Sequence, residues 1–235
     1  MTKRQRKLDK SNRRILVVDV GGTHVKCEVS GLSERREFES GPKLSAKQMT
    51  TQVKSLTKDW DYNVVSMGYP GLVVRSRIAA EPYNLGRGWV GFDFERAFGS
   101  PVKIINDAAM QALGGYQGGR MLFLGLGTGL GSTMIIDDVI EPMELAHLPY
   151  RKGKTFEDYV GAAGLERLGK KKWRKHVLDV IERLTVALEP EYVVLGGGNA
   201  EKLAKLPPNV QRGGSDNAFL GGYKLWSERV DAKRK

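Results

Sequence analysis

The segment ILVVDVGGTHVK, residues 15–26, carries the pattern from which the fold is best predicted. It opens with a short apolar run rich in β-branched residues, which indicates a strand buried on both faces. Asp19 comes near the end of this run, and Gly21, Gly22 and Thr23 follow. Two glycines and a hydroxyl at the end of a strand are typical of a tight turn that brings backbone N–H groups close to an anion.

Two interpretations of this turn stay open on the stretch alone. Gly-Gly between apolar runs is also a common β-hairpin signal. In a phosphate loop, Lys26 would add positive charge, and Asp19 could hold a hydrated Mg²⁺ because hard cations take oxygen ligands. The spacing is that of neither a Walker A loop nor a dinucleotide-binding GxGxxG, so those two mechanisms do not apply.

The composition predicts a globular protein of the cytoplasm. The chain has 235 residues, of which 40% are hydrophobic and 28% charged. No apolar run approaches the roughly 18 residues of a membrane span, and no apolar segment typical of a secretory signal follows the basic N-terminus. Cys27 is the single cysteine, which excludes an internal disulfide and a Cys-rich metal site. The net charge of +11 predicts attraction to nucleic acid, acidic membrane or polyphosphate, or only a solvated basic surface.

The order of predicted elements indicates an α/β protein with two lobes. Residues 1–13 are predicted to be a basic disordered tail, residues 14–106 the first lobe and residues 107–215 the second. A closing helix at 216–232 is expected to pack back on the first lobe. A strand, a glycine-threonine turn and a second strand occur twice, from Ile15 and again from Met121.

Two further glycine turns follow buried strands in the second lobe. We expect the three turns to face a cleft between the lobes and to hold the two ends of a phosphate chain, with the third turn beside an adenine or another part of the donor. The residues of these two turns that we single out are Gly127, Thr128, Gly129, Gly197, Gly198 and Asn199.

Asn106 and Asp107 follow the predicted strand 102–105, at a position where ligands commonly meet α/β proteins. A kinase that acts on an alcohol needs a carboxylate within hydrogen-bond reach of the hydroxyl group. Asp107 is the candidate base, and Asn106 would orient the sugar. An aspartate directly before a helix is equally typical of an N-cap, and the two roles are compatible.

Glu144 and His147 have an i, i+3 spacing, which would place them on one face of a helix. Together with Glu157 they suit a polyol, because sugar hydroxyls both donate and accept hydrogen bonds. His147 could instead be a metal ligand or a structural histidine. Basic residues crowd 151–154 and 170–176, the second cluster around Trp173, and form either a positive rim for a long anionic donor or a solvated face.

Over residues 14–226 the sequence resembles the ROK sugar kinases of the sugar kinase–actin–chaperone superfamily, and among them the polyphosphate glucokinases. The segments at residues 144–161 and 165–173 resemble the polyphosphate-using branch most specifically. The motifs that carry the resemblance are DVGGTHVK (19–26), GYPGLV (68–73), INDA (105–108), GLGTGLGS (125–132), ELAHLPYRKGKTFEDYVG (144–161), LERLGKKKW (165–173) and LGGGN (195–199).

The resemblance implies a two-lobed ribonuclease H-like (actin-like ATPase) fold with the active site in the cleft between the lobes. It implies phosphoryl transfer to the 6-hydroxyl of glucose from polyphosphate, with ATP as an alternative donor, Mg²⁺ as cofactor and a homodimer as the assembly. Asp107 would be the catalytic base. The implied sugar contacts are Asn84, Asn106, Asp107, Glu144, His147 and Glu157, and the implied phosphate contacts are Asp19, Gly21, Gly22, Thr23, Lys26, Gly127, Thr128, Gly129, Gly197, Gly198 and Asn199.

The sequence departs from most ROK sugar kinases in two respects. The Cys-rich zinc segment after the histidine is replaced by RKGKTFEDYVG, so no zinc site is expected. No helix-turn-helix precedes the first strand, so no specific nucleic-acid partner is expected. No membrane partner is expected either, since the chain has no long apolar run. The alternatives are an ATP-dependent hexose kinase of the same family, for glucose or mannose, and a non-catalytic sugar sensor.

Overall fold

The computed structural model describes residues 13–227. The chain folds into two compact units, the first ending at Asp107 and the second beginning at Ala108. The predicted lobe boundary lies one residue earlier. The predicted disordered tail, up to residue 12, and the end of the predicted closing helix lie outside the described residues. Within 13–227, no helix combines the length and the apolar character that a membrane crossing requires.

The first unit contains a five-stranded mixed sheet in the order β3-β2-β1-β4-β7. β1, β4 and β7 are parallel, whereas β2 and β3 are antiparallel to their neighbours. The strands of this unit are β1 (Ile15–Val20), β2 (His24–Val29), β3 (Arg35–Glu39), β4 (Val64–Tyr69), the hairpin of β5 (Val73–Val74) and β6 (Arg77–Ile78), and β7 (Val102–Asn106).

Burial explains why the central strands form. All six residues of β4 are buried, and so are the first four of β1, which confirms the interpretation of continuous apolar runs as fully covered strands. Two helices belong to this unit, α1 (Ala46–Leu56) and α2 (Phe94–Phe98). Ser45 caps α1: its side chain accepts from the N–H of Gln48, and the Gln48 side chain accepts from the N–H of Ser45.

The second unit repeats the topology of the first. Its sheet has the order β10-β9-β8-β13-β14. As in the first sheet, the first three strands pair antiparallel, and the last three, β8, β13 and β14, pair parallel. The predicted repetition of strand, glycine turn and strand is therefore one part of a larger structural repeat. The strands are β8 (Arg120–Leu126), β9 (Leu130–Ile136), β10 (Val139–Met143), the hairpin of β11 (Pro149–Arg151) and β12 (Lys154–Thr155), β13 (Tyr192–Gly196) and β14 (Val210–Arg212).

The remaining helices are α3 (Asp107–Gly115), α4 (Phe156–Val160), α5 (Ala162–Leu188) and α6 (Asn217–Lys224). α5 is interrupted at Gly169, whose φ of 72° is not helical. It buries Trp173 completely, and the Trp173 Nε1–H donates to Val160 O at 2.8 Å. The tryptophan in the basic cluster is therefore a core residue, while Lys170, Lys171, Lys172 and Lys175 around it are exposed.

α6 packs against α3 with almost no side chain between the two backbones. A Cβ placed on Gly221 would lie 1.8 Å from Met110 O, and one placed on Gly114 would lie 1.9 Å from Asn217 O. Lys224 Nζ donates to three carbonyls at the C-terminal end of α3 and just beyond it. These contacts lie within the second unit, so the predicted packing of residues 216–232 on the first lobe stays a prediction.

Candidate active site

The carboxyl ends of the three parallel strands bring the first group of candidate residues to one edge of the first sheet. Asp19 pairs in register with Gly68 on β4, and Gly68 pairs with Ile105 on β7. Asn106 is the last residue of β7, and Asp107 is the first residue of α3. Because adjacent strands lie about 4.8 Å apart, Asp19 and Asn106 share this edge with one strand between them.

The first glycine turn is a tight hairpin anchored to β3. The N–H of Gly21 donates to His24 O at 2.9 Å, and a Cβ on Gly21 would lie only 2.9 Å from that oxygen. Ser40 Oγ donates to Gly21 O at 2.7 Å, and the N–H of Ser40 donates to Thr23 O. The hairpin interpretation is therefore correct for the backbone, and the exposed Thr23 at its tip remains available for a phosphate contact.

Asp19 is a partly buried carboxylate opposite a lysine. It pairs with Lys26 across the β1–β2 ladder. Burial raises the pKa of Asp19 to about 6, and the positive charges of Lys26 and Arg35 counteract part of that rise. A desolvated carboxylate at a strand end is a suitable partner for a hard cation, so the donor chemistry at Asp19 fits Mg²⁺. Among residues 13–227 no group of three or more His, Cys, Asp or Glu side chains could hold a metal by itself.

Because Asp19 is partly buried, we expect Asp19→Asn to be more stable than wild type at neutral pH, by a margin that grows as the pH rises. Since the pKa of Asp19 is higher in the folded chain than its ordinary value of 3.8, the folded state binds the proton more tightly. Wild-type stability should therefore fall relative to the variant between pH 4 and 7, by about 1 to 3 kcal/mol. Urea unfolding of both proteins at each pH measures this difference in the free energy of unfolding. A difference that stays constant from pH 4 to 7 would contradict a raised pKa for Asp19.

Two of the predicted sugar contacts, Asn84 and Asn106, lie in the first unit. A Cβ on Gly22 would lie 3.5 Å from Asn84 Cβ, so Asn84 adjoins the first glycine turn. Asn106 Nδ2 donates to Gly71 O at 3.2 Å, which fixes the loop after β4 to the end of β7. The loop that carries Asn84 is anchored by the fully buried Trp89, whose Nε1–H donates to Leu44 O.

The second glycine turn joins β8 to β9 and rests on Glu157 from α4. Glu157 Oε2 accepts from the N–H of Leu130 at 3.0 Å. A Cβ on Gly129 would lie 2.1 Å from the same oxygen, so only glycine allows the turn to approach the carboxylate this closely. The N–H of Ala162, at the start of α5, donates to Thr128 O at 3.0 Å. Glu157 therefore holds the turn in place, a role that spacing did not indicate.

The third turn packs directly on the second. Asn199 Nδ2 donates to Gly127 O at 3.1 Å, and the N–H of Asn199 donates to Leu126 O at 3.0 Å. Gly197 has a φ of 78°, and a Cβ there would lie 2.5 Å from Leu126 O. The predicted donor residues of the second unit, 127–129 and 197–199, thus form one assembly.

Two basic residues extend this assembly: Lys202, which no motif indicated, and Arg174 of the basic cluster 170–176. Lys202 Nζ donates to Asn199 Oδ1 at 2.7 Å, which orients the asparagine amide toward Gly127. Arg174 Nε in turn donates to Lys202 O, so the basic segment of α5 is connected to the glycine turns through three successive contacts. No sequence signal links these positions, because the contacts are tertiary.

Glu144 and His147 are near each other but belong to a different element from the one predicted. Residues Leu145–His147 form a 3-10 helix, and His147 Nε2 lies 3.9 Å from Glu144 Oε2. Both side chains are about 70% exposed, at 69% for Glu144 and 72% for His147. Ser132 Oγ accepts from the N–H of Leu145 and donates to Met143 O, which ties this segment to β9.

Comparison with known proteins gives the family. A model described as ROK family matches residues 15–141, more than half of the chain. The polyphosphate glucokinase of Mycobacterium tuberculosis is 26% identical over 217 residues, which cover 83% of this chain and 81% of the relative.

Solved structures share the fold. The inorganic polyphosphate/ATP-glucomannokinase of Arthrobacter sp. strain KM has a TM-score of 0.77 at 22% identity, covering 92% of this chain and 98% of its own. A ROK family glucokinase from Streptomyces griseus, solved with glucose and AMPPNP, has a TM-score of 0.69 at 17% identity, covering 90% and 98%. The predicted α/β fold of the actin-like ATPase class is confirmed, while a site in a cleft between the two units stays a prediction.

Proposed function

The chain belongs to the ROK family, and on that premise we propose that it is a glucokinase that uses inorganic polyphosphate, with ATP as an alternative donor, to make glucose 6-phosphate. The observation that carries the proposal is the assembly of the second and third glycine turns, linked to the exposed lysines of α5 through Arg174 and Lys202. Glycine turns offer backbone N–H groups to phosphate oxygens. Exposed lysines on the same helix as Arg174 suit a donor that continues as a chain of phosphates.

Asp107 carries out the proton transfer in this proposal. The oxygen of the sugar 6-hydroxyl bonds to the terminal phosphorus, the bond from that phosphorus to the rest of the donor breaks, and Asp107 takes the hydroxyl proton. The donor leaves shortened by one phosphate. When bound, Mg²⁺ would neutralise charge on the transferring phosphoryl group, with Asp19 as its holder, through water. Catalysis then rests mostly on positioning and electrostatics.

The sugar contacts of this proposal are Asn84, Asn106, Glu144, His147 and Glu157. Glu157 can serve the sugar and the donor turn together, because Oε2 holds Leu130 while Oε1 accepts no hydrogen bond from any residue in the range 13–227. Glu144 and His147 are exposed and close to each other, so they are available to a ligand. Identification of the product of glucose and polyphosphate by ³¹P NMR tests the reaction, and a product other than the 6-phosphate would refute it.

Removing charge from α5 should weaken polyphosphate use selectively. Lys171 and Lys175 are exposed and stand at i, i+4, on one side of the helix. We expect Lys171→Gln with Lys175→Gln to raise KM for long-chain polyphosphate about 5–10-fold and to reduce its dependence on salt, since fewer counterions are released on binding. The KM for ATP should change less than twofold.

The matched control for this experiment removes two exposed lysines, one in α1 and one just after that helix ends. Lys47→Gln with Lys58→Gln makes the same change in net charge in the first unit. If both double variants weaken polyphosphate binding equally, the effect is one of total charge, and the proposed rim on α5 is wrong.

The second candidate is a kinase that uses ATP alone. It is favoured by the similarity to the Streptomyces griseus glucokinase, whose structure contains an ATP analogue. In that case the lysines of α5 are a solvated face, and their removal leaves all kinetic constants unchanged. Assembly as a homodimer and a cytoplasmic location remain parts of the proposal.

A further inference from the structure

The first unit contains a cavity of about 530 Å³ that the proposed reaction does not use. It lies between three elements: the β5–β6 hairpin, the segment that leads from Trp89 into α2, and β7, the edge strand of the sheet. Its volume is in the range of sites for small molecules. Val102 and Ile104 of β7 line it, whereas Asn106, two residues further along the strand, does not.

Two guanidinium groups at the hairpin line this cavity, and two carboxylates elsewhere in the lining balance them in formal charge without contacting them. Arg75 and Arg77 both line it, and within residues 13–227 neither guanidinium group has an ion pair or a hydrogen bond. The two acidic residues in the lining are already engaged with backbone groups. Asp93 accepts from the N–H of Arg96 at 2.9 Å, and Glu95 accepts from the N–H of Val102 at 3.3 Å.

The turn that presents the arginines is strained. Arg75 has a φ of 49° and Ser76 a φ of 58°, so two consecutive residues with side chains occupy the left-handed region. A two-residue hairpin turn of this kind normally takes Asn-Gly or Gly-Gly. Non-glycine residues in such conformations cost free energy and cluster at ligand sites. This turn presents Arg75, Ser76 and Arg77 side by side in the lining of the cavity.

The rest of the lining is apolar. Trp89, Phe94 and Ile78 are buried, and Phe92 is partly exposed at the cavity wall. Guanidinium groups bind phosphate through paired N–H donors, and a hydroxyl adds a further donor. An aromatic wall suits the C–H face of a ring. A ligand that fits both the guanidinium groups and the aromatic wall carries a phosphate group and a compact, partly apolar body.

We propose that this cavity binds a small phosphate ester or a short polyphosphate, with the phosphate held by Arg75, Ser76 and Arg77. The proposal goes beyond the function proposed above and does not depend on it, because the cavity is built from residues outside the candidate active site. The shared chemistry is a terminal phosphate group. Its source, a sugar phosphate or a polyphosphate end, is distinguished by using both as probes.

Isothermal titration of the full chain tests the proposal, with glucose 6-phosphate in one arm and tripolyphosphate in the other. We compare wild type with Arg75→Gln/Arg77→Gln and with Lys47→Gln/Lys58→Gln, which removes the same charge from another surface. For at least one probe, the arginine double variant should lose one bound equivalent or show a Kd at least tenfold higher, while the lysine double variant matches wild type.

The arm in which binding is lost identifies the source of the phosphate. Wild-type stoichiometry and affinity of both probes in the arginine double variant would overturn the proposal, as would equal losses in the two double variants. Both arginines are exposed, so folding should not be affected, and the single variant Arg75→Gln provides a second test. Binding is read without turnover, so a chain that fails to phosphorylate glucose leaves this result interpretable.

Discussion

We expect Asp107→Asn to lower kcat for glucose phosphorylation by roughly 10²–10⁴-fold, the range for loss of a general base, while the protein stays folded. Asn cannot accept the proton of the sugar hydroxyl, although it has nearly the size and shape of Asp. The substitution therefore removes the proposed chemistry and changes the packing at the start of α3 very little. A coupled glucose 6-phosphate assay measures kcat, and urea unfolding measures stability.

This substitution also separates catalysis from a role in helix stability. Asp107 is the first helical residue of α3, one position after the N-cap role expected from the sequence, so a purely structural Asp107 would act only through the helix dipole and predicts nearly normal activity in the variant. Asp93→Asn is the matched control, because Asp93 is a side-chain cap of α2 through Arg96. We expect it to leave kcat within about twofold. Near-normal turnover of Asp107→Asn would refute the assignment of the base.

Gly129→Ala is expected to lower kcat/KM by about 100-fold or more, the second large effect. A Cβ at this position would lie 2.1 Å from Glu157 Oε2, far inside van der Waals contact. Either the carboxylate or the turn must move, and a shift of about 1 Å in a positioning group is enough to cost two orders of magnitude in rate. Stability should fall by about 1–3 kcal/mol as in other overpacked sites.

A double-mutant cycle tests the cause of this effect. Glu157→Ala removes the carboxylate that the new methyl group would meet, so Gly129→Ala should cost little additional stability in that background. Gly198→Ala is the control for a glycine in the neighbouring turn, since a Cβ there meets nothing within 4 Å. Strictly additive losses of stability for Gly129 and Glu157 would contradict the proposed contact.

Local patterns predicted the strands and turns well, because each depends on neighbouring residues. The apolar run of residues 15–18 and the following glycines required a buried strand and a tight turn, and both are present. The strand end at Asn106 was predicted one residue early, at Ile105. The edge shared by Asp19 and Asn106 follows from parallel pairing, which the α/β pattern favours.

Contacts between distant segments could not be predicted in this way. The bond from Glu157 to Leu130 and the chain from Arg174 through Lys202 to Asn199 depend on tertiary packing. Trp173 was misleading for a different reason. Its lysine neighbours suggest a surface, but its spacing to Val177 and Ile181 places it on the buried face of α5.

Irregular elements were also missed or misassigned. Glu144 and His147 have the spacing of an α-helical pair, yet the segment is a single 3-10 turn after β10. The strained turn at Arg75 and Ser76 carries none of the glycines or asparagines that signal a hairpin. Such sites violate local preferences, and sequence patterns therefore do not reveal them.

We propose that polyphosphate drives the phosphorylation of glucose by this chain. Initial rates of glucose 6-phosphate formation, measured at fixed glucose with polyphosphate of several lengths and with ATP, test it most directly. We predict turnover with polyphosphate at a kcat/KM at least about tenfold above that with ATP, increasing with chain length as more phosphates reach the lysines of α5. Turnover with ATP alone, or no turnover of glucose with either donor, would contradict the account.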